Sequence, residues 1–113
     1  MHEMALAASI LGLLEDQARR DHFERVRALR LAIGVLSHVD PRALEFGLQS
    51  VVRGTILEGA KVVIERPGGT AYCMDCSDTI EVSAHGDACP RCGGNKWVLV
   101  SGDEMRVLDM EVD

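Results

Sequence analysis

Four cysteines and one histidine carry the chemistry this sequence can do. The cysteines fall as Cys73-x2-Cys76-x12-Cys89-x2-Cys92. Two cysteines separated by two residues fold into a tight knuckle with both sulfurs on one ion. Two knuckles complete a tetrahedral shell of four thiolates, which suits zinc. Pro90 fixes the entry into the second knuckle, and Gly93 and Gly94 permit tight turns after it. A shell closed by four protein ligands leaves no position for chemistry, so the expected role is structural. A rubredoxin-like iron centre uses the same donors and stays open as a reading. A redox dithiol needs one pair at a strand–helix junction, and two symmetric pairs argue against it.

The histidine stands second, in Met1-His2-Glu3. There the terminal amine, the His2 amide and imidazole Nδ1 can reach one ion, closing a five-membered and a six-membered chelate ring. The Glu3 amide nitrogen or the Glu3 carboxylate can be the fourth donor. A nitrogen-rich planar set favours Ni(II) or Cu(II) and loads poorly in acid, because its donors must shed protons. The bland alternative is a loose terminus with an incidental histidine.

These groups need elements to position them. Apolar spacing predicts an amphipathic helix over 4–18, with Leu6, Ile10, Leu13 and Gln17 in one row and Ala7, Leu11, Leu14 and Ala18 beside it. Residues 26–35 alternate as a half-buried strand. Asp40-Pro41 provides an N-cap and a proline at the first helical position, and Gly54 is placed to end that helix. A strand is expected at Ala60–Glu65, a break at Pro67-Gly68-Gly69, and a last strand at Met105–Val112. Between the knuckles, Thr79–Val82 reads as a strand with Trp97–Val100 as its partner, and Trp97 as a cover for the knuckles. The expected fold is α+β, two helices on a three-stranded sheet with an inserted zinc-ribbon subdomain. The domains expected are 1–66, completed by strand 102–113, and 67–101.

Charge narrows the function. The chain has a formal charge of −6, and residues 66–101 hold three basic against four acidic groups. No segment has the basic surplus that phosphate contacts require, which disfavours a zinc-ribbon nucleic-acid binder. No apolar run approaches the roughly 20 residues that span a bilayer, and the start lacks the positive region of a signal peptide. A cytoplasmic protein is expected, where paired cysteines mean metal or redox chemistry more often than disulfides. No P-loop, nucleophile elbow or paired-carboxylate motif is present, and Ser9 and Ser101 lack an identifiable base. No enzyme is expected.

Met1-His2-Glu3-Met4, Gly54-Thr55-x-x-Glu58-Gly59-Ala60, the two knuckles and Ser101-Gly102-Asp103-Glu104-Met105 appear in that order over essentially the whole chain. This layout resembles the HypA family of hydrogenase maturation proteins, which are nickel metallochaperones. The resemblance implies that Met1, His2 and Glu3 bind nickel as cargo and that Cys73, Cys76, Cys89 and Cys92 bind structural zinc. It also implies two partners, a maturation GTPase and the large subunit of [NiFe]-hydrogenase; charge and hydropathy already argue against nucleic acid and membrane. A monomer or weak homodimer is expected. His85, between the knuckles, reads as a solvated loop histidine, with a pH-linked or secondary metal role open. His22 and His38 read as surface residues, and the acidic stretch 103–113 as a solvated strand face.

Overall fold

A computed structural model describes residues 2–113. Met1, and with it the terminal amine, lies outside the described residues. The elements run α1 His2–Asp21, β1 Val26–Ile33, α2 Pro41–Val51, β2 Lys61–Glu65, β3 Gly69–Cys73, β4 Asp78–Val82, β5 Trp97–Ser101 and β6 Met105–Val112. They form two three-stranded sheets, ordered β2-β1-β6 and β4-β3-β5. The expected α+β class with an inserted cysteine-rich subdomain is what the chain adopts. No helix among the described residues is long and apolar enough to cross a membrane.

Two compact units are present. The first takes in the described residues up to Leu31, Val39–Ile64 and Val107–Asp113. Its helix α1 begins earlier than apolar periodicity alone suggests. Glu3 in the first turn and Arg19 and Arg20 in the last complement the helix dipole at both ends. The buried stripe is Ala7, Ile10, Leu14 and Ala18, so it runs across both apolar rows, whereas Leu13 is 60% exposed. The helix ends as His22 turns to φ 60°.

Helix α2 starts where its cap dictates. The Asp40 side chain accepts the N–H groups of Arg42 and Ala43, and Pro41 occupies the first turn. Leu44 and Leu48 are buried on α2, which packs against α1. Truncating either to Ala would cost about 2–5 kcal/mol. The helix stops at Val51, and Gly54 follows with φ 74°. Strand β1 is central in its sheet and accordingly the most buried, with Val26, Leu29 and Leu31 covered. Its neighbour β6 supplies acids to its arginines. Asp109 receives Arg30 Nε at 3.1 Å and its terminal nitrogen at 2.6 Å, and Asp113 lies 3.0 Å from Arg27. The acidic stretch is therefore partly paired. The Arg30 hydrogen bonds hold the Asp109 carboxyl below its ordinary range.

The second unit comprises Ala32–His38 and Glu65–Arg106. Here one expectation is corrected. Thr79–Val82 and Trp97–Val100 are strands but not partners, because β3 lies between them and pairs antiparallel with both. Ala71 sits opposite Ile80 on one side and Leu99 on the other. The core is Leu36, Ala71, Cys73, Ile80, Val82 and Cys89, with Trp97 and Leu99 packed on it. Leu36 arrives from far upstream on a short strap. Gly34 N–H donates to Glu104 O, Val35 N–H to Pro67 O and Leu36 N–H to Gly102 O, at 2.8–3.0 Å. The strap fits because Gly34 has no side chain. A Cβ there would lie 1.9 Å from the Gly102 carbonyl oxygen, an impossible contact.

Candidate metal centres

Strand β3 delivers the first cysteine. Its alternation places Ala71 and Cys73 inward, and the chain then turns so that Cys76 faces back. Met74 N–H bonds Lys96 O, tying this first knuckle to the approach of β5. The second knuckle is closed by Cys89 N–H to Gly94 O at 2.7 Å and Gly93 N–H to Cys89 O at 2.8 Å. The residue after each knuckle has positive φ: Gly93 at 75°, and Ser77 at 53° in the first. The two knuckles share a backbone device, one built with glycine and the other without.

The four sulfurs lie within 4.8 Å of one another. Cys73 is 3.6 Å from Cys92, and Cys76 is 3.8 Å from Cys89. Disulfide sulfurs sit about 2.05 Å apart, so none of these is bonded. Sulfurs held about 2.3 Å from a central ion in a tetrahedron lie roughly 3.8 Å apart. The donor set and its spacing thus fit a four-thiolate ion such as zinc. Cys73 and Cys89 are buried, Cys76 is half-buried and Cys92 exposed. Arg91 N–H points at Cys89 Sγ at 3.4 Å, a donor that favours thiolate there.

Protonation of the free thiols is uneven. Cys76 is pushed up to about 12, first by its hydrogen bond with the Cys73 thiol and then by burial. Cys89 is lowered to about 7. Burial is its largest single influence and pushes it up, but the backbone N–H groups of Cys92 and Arg91 and two thiol contacts outweigh it together. An ion entering the site must displace protons. Trp97 packs against this cluster as expected, its Nε1–H donating to Asp87 O at 2.8 Å.

At the other expected site, His2 and Glu3 open α1. His2 is exposed, and its Nε2 lies 3.1 Å from Glu3 Oε2. The first four N–H groups of a helix have no acceptor within it, which leaves donor-capable nitrogens at this end. The same Glu3 oxygen accepts the Asp40 N–H at 3.3 Å. No sequence pattern pairs residues 3 and 40. The one available signal was the cap at Asp40, which lacks a carboxylate three residues later. The remaining histidines divide. His22 is exposed at the end of α1, while His38 and His85 stack with ring centroids 5.4 Å apart. His85 is exposed, as expected of a loop histidine, and its Nε2 is also 2.8 Å from Leu36 O, so it is partnered as well as solvated.

A family model described as "Hydrogenase/urease nickel incorporation, metallochaperone, hypA" matches residues 1–112. This chain belongs to the HypA family. It is 46% identical over 113 residues to hydrogenase maturation factor HypA 2 of Bradyrhizobium diazoefficiens, covering 100% of both chains. With the HypA maturation factor of Polaromonas naphthalenivorans it shares 48% identity, over 99% of this chain and 97% of the relative. Among solved structures, the solution structure of the nickel metallochaperone HypA from Helicobacter pylori superposes with a TM-score of 0.69 at 21% identity, over 97% of this chain and 96% of that one. Another HypA solution structure gives 0.72 at 22% identity, over 99% of this chain and 96% of that one. At that identity the structural likeness speaks for the fold. The sequence matches carry the family: the chain is a HypA-type nickel-incorporation maturation factor with a four-cysteine cluster that fits structural zinc.

Proposed function

We propose that this chain is a non-catalytic nickel metallochaperone. In this reading it binds Ni(II) through the Met1 amine, His2 and Glu3. It then passes the ion to the large subunit of [NiFe]-hydrogenase in the cytoplasm, with a partner GTPase. The reading assigns residues 1–66 with 102–113 to the nickel-binding part and 67–101 to the zinc ribbon, whose compact unit also takes in Ala32–His38 and extends to Arg106. Cys73, Cys76, Cys89 and Cys92 would hold zinc, which supplies cross-linking of the two knuckles and no reactive position.

One observation carries the nickel reading: His2 stands exposed at the start of α1 in a chain matched by the nickel-incorporation family along its length. An exposed end site exchanges its ion readily, as a carrier needs, whereas four thiolates, two of them buried in a core, retain theirs. The test is Ni(II) titration of untagged protein against His2→Ala. Nickel affinity should fall by more than about 100-fold, beyond the cost of losing an outer-shell partner. Zinc content should stay unchanged. Equal nickel affinity in the two proteins would remove His2 from the site.

A further inference from the structure

The cap of α2 is chemically incomplete within its own segment. In a capping box, a Glu or Gln at the third helical position reaches back to the N-cap N–H. With Asp40 as N-cap, that position is Ala43, which has no polar side-chain atom. The carboxylate comes instead from α1, since Glu3 Oε2 accepts the Asp40 N–H at 3.3 Å. That same oxygen stands 3.1 Å from His2 Nε2. The Glu3 side chain is only 17% exposed, although it sits one residue after a side chain that is 60% exposed. Gly47 of α2 faces the same turn, and a Cβ there would lie 3.4 Å from Glu3 O and 3.1 Å from Met4 Sδ. The second helix thus comes close to the start of the first, and one oxygen joins His2 to the opening of α2.

We propose that Glu3 is a positioning residue: its carboxylate, anchored on the Asp40 N–H, holds His2 Nε2 and leaves Nδ1 turned to the metal. The inference rests on the reading of Met1-His2-Glu3 as the nickel site. His2 closes a six-membered chelate with its own amide only through Nδ1, so the carboxylate occupies the ring nitrogen that the chelate does not use. A carboxylate in this place fixes the ring and its tautomer, as outer-shell partners do for ligating imidazoles. The anchoring also makes the first turn of α2 part of the nickel site.

An acidic side chain in the first turn is favourable to α1 on its own account, so the test must separate position from charge. Glu3→Asp keeps the charge at the helix start but is one methylene shorter. Glu3→Gln keeps the length and an acceptor oxygen but loses the charge. Ni(II) is titrated into both variants, the parent and His2→Ala, each with its native first residue. Affinity, the Ni(II) absorption spectrum, the far-ultraviolet dichroism and zinc content are recorded for each. Both Glu3 variants should bind nickel about 10-fold more weakly or worse. They should keep the parent's planar Ni(II) spectrum, its helicity and its zinc. Parent-like affinity in Glu3→Asp would overturn the proposal by reducing Glu3 to a helix-end charge. A changed Ni(II) spectrum in the Glu3 variants would also overturn it, by making the carboxylate a ligand. If His2→Ala loses nickel and the Glu3 variants do not, this inference fails alone. If His2→Ala keeps nickel, the site assignment beneath it fails.

Discussion

The two ends of this chain's metal chemistry are built on opposite principles. The cysteine cluster takes its four donors from two knuckles, buries two of them outright, and backs them with Leu36, Ala71, Ile80 and Val82. The start of α1 offers one imidazole in solvent, steadied by a single carboxylate. A site whose ligands are also core residues couples its ion to folding. A site on an exposed helix end can gain and lose an ion while the fold stays intact. On the proposed reading, the contrast separates an ion kept for shape from one kept only for a time.

The largest expected effect breaks the cluster. Cys73 is fully buried and ends the central strand, so Cys73→Ser should abolish zinc retention and expose residues 65–106 to proteolysis. Structural zinc is worth about 10 kcal/mol or more in small metal-stapled folds. If the two sites work separately, nickel affinity at the other end should change little, which titration of the variant would check. A ribbon that kept its zinc and its protease resistance would contradict the four-ligand assignment.

Next in size is the strap. Gly34→Ala drives a methyl into the Gly102 carbonyl and should cost about 3 kcal/mol, at the upper end for overpacking and beyond it if the backbone cannot shift. Denaturant unfolding measures this, and a loss under about 1 kcal/mol would mean that the strap is not held as described. Gly54→Ala makes a useful contrast, since a Cβ at Gly54 meets nothing and its cost is only that of φ 74°.

A smaller effect concerns acid. Glu104 is held below its ordinary range, first by the backbone N–H of Gly102, and Asp109 by its hydrogen bonds with Arg30. Carboxyls depressed in the folded state contribute stability that is present above the ordinary carboxylate range near pH 4. That contribution is lost as pH falls through the depressed values. Glu104→Gln and Asp109→Asn should therefore flatten the dependence of stability on pH below about 4.5 and leave its shape above pH 6 unchanged. Unfolding midpoints at matched zinc content would show it. An unaltered acid limb in both variants would remove these contacts from the account.

The smallest effect sharpens the comparison within the cluster itself. Ser77 holds the left-handed conformation that Gly93 provides in the second knuckle. Ser77→Gly relieves a conformational cost of about 1 kcal/mol and gives part of it back as unfolded-chain entropy. A gain of a few tenths of a kcal/mol is expected, and a loss would mean that the serine side chain contributes something the backbone does not reveal.

Much of this was legible from local signals. Cysteine spacing gave the cluster, the Asp40-Pro41 pair gave the start of α2, and strict alternation gave β6 at Met105–Val112. Strand β3 was harder. Gly69-Thr70-Ala71-Tyr72-Cys73 is short, contains small residues and follows Pro67-Gly68, so no periodicity marks it as a central strand. Without a signal for β3, alternation alone matches β4 to β5. The other omissions are long-range. Nothing near Leu36 announces that it plugs a core made mostly of residues beyond 70, and nothing near Glu3 announces Asp40. Periodicity reports which face a residue presents, not what that face meets.

The central claim is that a free α-amine and the neighbouring imidazole act as one chelator beside an independent thiolate-bound ion. Metal analysis of protein acetylated at Met1, set against the untreated chain, tests this most directly. Nickel uptake should fall by at least about an order of magnitude while zinc content stays the same. Undiminished nickel in the acetylated protein, with its zinc intact, would place the cargo elsewhere.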